Sequence, residues 1–267
     1  MPNTTLYIVS TPIGHLKDIS IRAIETLKSV AFILCEDTRV SQKLMHAYDI
    51  KTPLKSFHDY TTPAQIQTIL SEMNGFEVAL ISDAGTPLLH DPGYELVVAA
   101  RTHGYIVTAI PGASSITNAL VLSGVAPYPY TFYGFIPTKA KAKAEFIQKA
   151  LATPHTIVFF ESVKRLSSTL ALVRQWAPTR VVSIMREMTK QFESVYHGTA
   201  EELMKIDIPA KGEVVLILGP QEKQLQNPLE LVDVLVAQGM KPVDAIKEVA
   251  KSSSMTKAQL YEQYISR

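Results

Sequence analysis

One cysteine, Cys35, is present in 267 residues. A single thiol closes no intrachain disulfide and builds no metal cluster, so a reducing compartment and no metal site are expected. Charge of one sign is equally scarce, with 26 Lys and Arg against 25 Asp and Glu and a net charge of +1. Nothing pulls the whole surface toward nucleic acid or a membrane, and any RNA site has to be a local patch. No apolar run reaches the roughly 18 residues that a membrane span needs. The opening Met-Pro-Asn-Thr-Thr lacks the basic and apolar regions of a signal peptide. A soluble, cytoplasmic protein is expected. The G-x-G-x-x-G fingerprint and the P-loop pattern are both missing, which argues against NAD and ATP. Internal repeats and low-complexity segments are missing as well.

What is there is an alternation of short apolar runs and amphipathic stretches, the pattern of α/β architecture. Strands are expected near 6–10, 32–35, 78–82 and 105–109, with helices at 19–29, 40–48, 64–73, 93–103 and 114–122. Asp18 or Ser20 suits the cap of the first helix, and Asp91, with Pro92 behind it, the cap of the fourth. Small residues and prolines around 122–129 mark a crossover. Beyond it strands are expected at 131–135, 156–160, 180–185, 193–197 and 213–218, the third and fourth close enough for an antiparallel hairpin. Helices at 140–152, 164–176 and 201–206 lie among them. After Gly219-Pro220 only helical patterns remain, at 228–238, 243–251 and 257–265. The expected division is a domain at 1–122, a mixed α/β domain at 123–220 and a helical tail at 221–267.

Three Pro/Gly loops follow apolar strands: Thr11-Pro12-Ile13-Gly14, Asp83-Ala84-Gly85-Thr86-Pro87 with Asp91-Pro92-Gly93, and Pro111-Gly112-Ala113-Ser114-Ser115. Each alone is ordinary turn chemistry. Together they suggest one composite site, because open α/β sheets bind ligands beyond the carboxyl ends of their strands. Backbone N–H groups near Ser114 and Ser115, at a helix start, suit a carboxylate, and Asp83 suits an ammonium.

Other chemistry-bearing residues keep two readings. Asp37 and Thr38 are good helix caps, and Arg39 beside Glu36 and Asp37 is an ion-pair partner or a phosphate contact. Glu161, at a strand end, is a ligand contact or the structural partner of Arg165. Arg186, Glu187 and Lys190 form a solvated hairpin tip or touch phosphate. Lys139, Lys141 and Lys143 alternate and do not share one helix face, so they suit a flexible basic loop equally well. His58, His90 and His155 are isolated in sequence.

Taken in order, several segments resemble the ribosomal RNA small-subunit methyltransferase I group within the tetrapyrrole (corrin/porphyrin) methylase superfamily. They begin with Ser10-Thr11-Pro12-Ile13-Gly14, Glu36-Asp37-Thr38-Arg39, Ser82-Asp83-Ala84-Gly85-Thr86-Pro87 with Asp91-Pro92-Gly93, and Pro111-Gly112-Ala113-Ser114. Gly134-Phe135-Ile136-Pro137, Phe160-Glu161-Ser162, Arg186-Glu187-Met188-Thr189-Lys190 and Gly212-Glu213-Val214-Val215 complete the set. The resemblance implies two α/β domains with an interdomain cleft for S-adenosylmethionine, usually in a homodimer. It also implies methyl transfer to the ribose 2′-hydroxyl of a cytidine in small-subunit (16S) rRNA, as naked RNA or in the small ribosomal subunit. Cofactor contacts carried over by motif are Ile13, Gly14, Asp83, Thr86, Ser115, Ile116, Phe160 and Ala210. Removing the hydroxyl proton calls for a base, with Asp37, Glu161 and Glu187 as the candidates and His90 behind them. Arg39, Arg186 and Lys190 are expected on phosphates. The chain departs from the family at His15 (usually Asn), at His90 (usually Ser), and at Val163-Lys164 (often Pro-His), where Lys164 is taken as a tolerant, substrate-facing position. A tetrapyrrole C-methylase and a non-catalytic RNA-binding assembly factor are the alternatives.

Overall fold

Two tetrapeptides apolar at every position, Phe32–Cys35 and Val78–Ile81, are buried at every position too. Such runs suit inner strands of a parallel sheet covered on both faces. With β1 (Thr5–Val9), β2 (Phe32–Cys35), β3 (Leu54–Ser56), β4 (Val78–Ile81) and β5 (Ile106–Ile110), the first sheet has the order β3-β2-β4-β1-β5, every pairing parallel. Alternation along the strands splits the core in two. Ile33, Cys35, Ala79 and Ile81 pack with Ala23 and Leu27 of α1 (Ile21–Ser29) and Leu44 and Met45 of α2 (Thr38–Ala47). Phe32, Leu34, Val78 and Leu80 pack with Ile66 and Leu70 of α3 (Pro63–Glu72) and Leu96 and Ala100 of α4 (Tyr94–Thr102). Helix α5 (Ser115–Leu122) follows β5.

In this computed structural model residues 4–221, 227–253 and 255–266 are described. They form two compact units, Met1–Pro220 and Gln221–Arg267. The first unit also holds a second sheet of β6 (Tyr130–Phe135), β7 (Thr156–Ser162), β8 (Val181–Arg186), β9 (Ser194–Thr199) and β10 (Glu213–Leu218) in the order β6-β7-β10-β8-β9. Only β6 and β7 are parallel, and β8 and β9 form the antiparallel hairpin that their spacing predicts. Helices α6 (Ala140–Leu151) and α7 (Val163–Trp176) cover one face over Ile147, Phe159, Leu166, Leu170 and Leu216. On the other face Val158, Met185, Val215 and Ile217 meet Ile13, Ile116, Ala119 and Leu120 from the first half. That apolar seam fixes the first sheet's loops against the second sheet.

Strand β3, Leu-Lys-Ser, is absent from the sequence reading because three residues with a central lysine carry no apolar period; Lys55 pairs with Glu72 at 2.7 Å. Ser20 caps α1, accepting from the Ala23 N–H at 3.1 Å. Helix α4 starts on Gly93 with no side-chain cap, not on Asp91. Lys143 lies in α6 and is buried, so 139–143 is not a flexible basic loop.

The second unit carries three helices, α9 (Pro228–Ala237), α10 (Pro242–Ala250) and α11 (Lys257–Ile265), after the short α8 (Ala200–Leu203) of the first. Its own core is Leu229, Val232, Ala245, Ile246, Val249 and Leu260. No helix among the described residues is long and apolar enough to cross a membrane.

Arg180, one residue before β8, is a buried charge. Its guanidinium donates to the carbonyls of Gly219 (2.6 Å), Leu151 (3.2 Å), Thr153 (3.1 Å) and His155 (2.7 Å), and burial pushes its pKa down to about 10. Charged donors of this kind matter most through the acceptors orphaned when they go. Arg180→Met is expected to destabilise the protein by about 3 kcal/mol or more, lowering the calorimetric melting temperature by roughly 6–12 °C. A loss of about one degree would show that water replaces the guanidinium.

Candidate active site

Because the first sheet is parallel, β1, β2, β4 and β5 all release their chains at one edge. The loops leaving it are tied to one another. Thr11 and Gly85 exchange backbone hydrogen bonds of 2.8 and 3.0 Å, an isolated two-residue bridge between the loops after β1 and β4. The Ser10 hydroxyl donates to Thr86 Oγ1 at 3.2 Å, and Thr86 Oγ1 donates onward to the Ala113 carbonyl at 3.1 Å. The Asp37 N–H donates to Asp83 Oδ1 at 3.2 Å, drawing in the loop after β2. Four loops far apart in the chain therefore hold each other by backbone and short polar side chains.

Between these loops and the second sheet lies a cavity of about 430 Å³. Ile13, Asp83, Thr86, Ser115 and Ile116 line it from the first half, and Phe160 lines it from β7. Met188 and the segment 212–215 close the far wall. A smaller hollow of about 290 Å³ lies apart from it, beside Phe57, His58 and Glu95. Gly14 and Ala210, also expected on the guest, are not on the main wall. A Cβ at Gly14 would stand 2.5 Å from Lys190 Cγ and 2.9 Å from the Met188 carbonyl, so that glycine admits the close approach of the β8–β9 turn to the first loop. The His15 N–H then donates to Thr189 Oγ1 at 3.0 Å.

The three carboxylates expected as bases are engaged elsewhere. Glu161 has a fully buried side chain, held by Arg165 at 2.5 Å, Lys143 at 3.3 Å, the Thr169 hydroxyl at 2.6 Å and the Ser162 N–H at 2.7 Å. Every acceptor position faces a protein donor, which leaves no lone pair for a substrate proton. Asp37 takes the Arg39 guanidinium through both oxygens, at 3.0 and 2.7 Å, and this holds its pKa down at about 2. Glu187 accepts from the Glu213 N–H at 2.9 Å, the first cause of its lowered pKa, and from Lys190 at 3.1 Å. It props the 212–215 wall from behind.

Two of the cations expected on phosphate are likewise struts. Arg186 is buried and donates to the carbonyls of Lys211 (2.7 Å) and Phe192 (3.1 Å), so its charge pins a turn. Lys190 bridges Glu187 and Glu213. Arg39 alone of the three stands out into solvent, 88% exposed in the first turn of α2 and paired with Asp37.

Asp91 and His90 also stand on the cavity wall. Asp91 reads as a helix cap in sequence, yet it lines the cavity. Burial, then the charges of Glu36, Asp83 and Asp59, push its pKa up to about 6 against the pull of a Ser82 hydrogen bond. Glu36 is raised for similar reasons, burial first. Asp83 and Asp91 thus stand together on the wall given by the first half, with Glu36 and Asp59 adding negative charge nearby. His90 has a left-handed backbone (φ 72°), and its ring meets Phe132 and Phe135 edge-on at 5.5 Å. Gly134 makes room for it, since a Cβ there would fall 1.5 Å from His90 Nε2.

The raised pKa of Asp91 has a stability consequence of definite sign. The folded state binds this proton more tightly than the unfolded state, so stability falls as pH rises from about 4 to about 6 and stays lower above that. Asp91→Asn is expected to melt above the wild type at pH 7.5, with the gap closing at pH 4. A gap independent of pH in scanning calorimetry would contradict the assignment.

Residues 5–204 match the family model of the Tetrapyrrole (Corrin/Porphyrin) Methylases. A protein of Streptococcus pyogenes serotype M1 named ribosomal RNA small subunit methyltransferase I is 39% identical over 97% of this chain and 94% of its own length. Its namesakes in Mesorhizobium japonicum and Bacillus subtilis (strain 168) are 40% and 35% identical, over 97% of this chain and 91% and 93% of theirs. Among solved structures, a diphthine synthase superposes with a TM-score of 0.63 at 16% identity, covering 81% of this chain and 90% of its own. A uroporphyrin-III-C-methyltransferase from Thermus thermophilus gives 0.56 at 17%, covering 80% and 94%; these two likenesses speak to the fold alone. The chain therefore belongs to the tetrapyrrole (corrin/porphyrin) methylases and, within them, to the ribosomal RNA small subunit methyltransferase I group.

Proposed function

We propose that this protein transfers a methyl group from S-adenosylmethionine to the ribose 2′-hydroxyl of a cytidine in small-subunit rRNA. The observation that carries the reading is the cavity, bordered by three hydrogen-bonded strand-end loops on one side and by Phe160, Met188 and 212–215 on the other. One of its carboxylates suits a cationic guest: Asp83 offers charge to an ammonium. The backbone N–H groups opening α5 at Ser115 and Ile116 lie behind Ser114, whose side chain caps nothing, so they remain for a carboxylate. Ile13, Phe160 and Val215 supply apolar surface for an adenosine. Bound there, S-adenosylmethionine supplies a methyl carbon open to in-line displacement by a hydroxyl.

The chain's own residues have three tasks in that displacement. The tied loops hold the cofactor pocket rigid, so positioning supplies much of the acceleration. The aromatic group of His90, Phe132, Phe135 and Phe160 keeps water from the wall nearest β6 and β7. Asp91, with a pKa near 6, accepts the hydroxyl proton in place of Asp37, Glu161 and Glu187. Arg39 remains the outer phosphate contact.

The sheets of 5–110 and 130–218 are taken as the cores of two domains, 1–122 and 123–220, with 221–267 as an appended helical unit. A cytoplasmic homodimer is the assembly we favour, since Ile106 on edge strand β5 and Val121, Leu122 and Tyr128 beyond it are exposed apolar side chains.

The test combines calorimetric binding of S-adenosylmethionine with labelled methyl transfer to small ribosomal subunits, to naked rRNA and to a tetrapyrrole. Wild-type protein is expected to bind the cofactor and to label RNA at a cytidine 2′-oxygen. Asp83→Ala is expected to weaken cofactor binding by roughly tenfold or more. Asp91→Asn is expected to keep cofactor binding and lower kcat about 10²-fold or more, and the wild-type rate to rise with pH through about 6. Label in the tetrapyrrole alone, or at a base rather than a ribose, would overturn the reading.

A further inference from the structure

Glu161, Lys143 and Arg165 form a buried charge cluster that the methyl-transfer chemistry leaves without a task. Lys143 is 6% exposed and Glu161 fully buried in their side chains, whereas Arg165 is 24% exposed and lines the cavity. Two cations share one carboxylate, so the cluster carries a net charge of +1. Burying an uncompensated charge is costly, and a cluster left positive on a cavity wall is best balanced by an anionic guest. The Lys143 ammonium is fully engaged, donating also to the Ser168 hydroxyl at 2.7 Å and the Arg165 carbonyl at 3.2 Å. Arg165 is not. Of its five N–H donors, Glu161 takes one and the Ile136 carbonyl another at 3.0 Å. The remainder are held in place by a side chain that packing and pairing have already ordered.

Two further lysines stand close to Arg165 in the chain or through the Ile136 carbonyl that it holds. Lys164 precedes Arg165 at the start of α7, and Lys139 caps α6 three residues beyond Ile136. Both are exposed, and neither forms an ion pair among the described residues, unlike Lys141, which faces Glu145 at 4.0 Å. An anchored arginine flanked by two unpaired lysines is the arrangement that grips a sugar–phosphate backbone: the fork fixes one phosphate and the lysines add charge. The cofactor's carboxylate is the weaker occupant, because the α5 N-terminus on the opposite half already offers it N–H donors.

We propose that Arg165, with Lys164 and Lys139, binds the phosphodiester backbone of the substrate RNA beside the target nucleotide. This rests on the rRNA methyltransferase reading. Glu161 and Lys143 are then positioning residues that orient the guanidinium. This local group of cations also accounts for an RNA substrate on a chain whose net charge is only +1.

Binding of small ribosomal subunits is measured over a salt series for wild type, Arg165→Ala and the double variant Lys139→Glu/Lys164→Glu, with S-adenosylmethionine binding followed by calorimetry. The double variant changes only exposed side chains and keeps the fold. Each variant is expected to weaken RNA binding about tenfold at low salt, and to flatten the slope of log K against log salt by about one for each phosphate no longer neutralised. Cofactor affinity is expected to stay within about twofold. Unchanged RNA affinity and slope in both variants would overturn this site, as would Arg165→Ala losing cofactor binding while RNA binding persists. Wild-type protein that binds cofactor but shows no salt-dependent subunit binding would overturn the rRNA reading, and this site with it.

Discussion

The bridge between Thr11 and Gly85, extended by the Thr86 hydroxyl to the Ala113 carbonyl, is the constraint on which the rest depends. Parallel pairing brings the strand ends to one edge, but it does not make their loops into a wall. The loops become one because each satisfies its polar backbone on its neighbour rather than on water. A bound guest then meets a surface whose conformational entropy has already been lost in folding. The apolar seam of Ile13, Ile116, Leu120, Met185 and Val215 does the same work between the two sheets.

Much of this was legible in sequence, for reasons that can be named. Phe32–Cys35 and Val78–Ile81 are apolar throughout because both faces of the sheet are covered, and a Pro/Gly loop follows β1, β4 and β5 where they end at the site. Ile13, Asp83, Thr86, Ser115, Ile116 and Phe160 come to one cavity in the structure. What the sequence leaves open is whether each charge is paired within the protein or free for a ligand. Glu161 looks like any strand-end carboxylate until α6 delivers Lys143 and α7 delivers Arg165, and only then is it seen to be saturated. Arg186 looks like a surface cation until its guanidinium is found on two carbonyls. Asp91 followed by Pro92 has the local signature of a helix cap; its raised pKa comes first from burial and then from Glu36, Asp83 and Asp59, none of them adjacent in the chain.

The cavity thus draws charge of both signs from the two halves of the fold. Carboxylates gather at the first sheet's edge, where a cationic donor and a hydroxyl proton are both accommodated. A surplus of positive charge stands at the start of α7, where a phosphate is accommodated. The division explains how a nearly neutral chain handles a cationic cofactor and a polyanionic substrate in one place.

The hydrogen-bonded loops and the second sheet are proposed to enclose a single cofactor site. A crystal structure with S-adenosylhomocysteine, the demethylated product, is the decisive measurement. The ligand is expected against Asp83, Thr86, Ser115, Ile116 and Phe160, with the Thr11–Gly85 bridge intact. Ligand density in the smaller hollow beside Phe57 and Glu95, or on the outer surface with the main cavity empty, would contradict it.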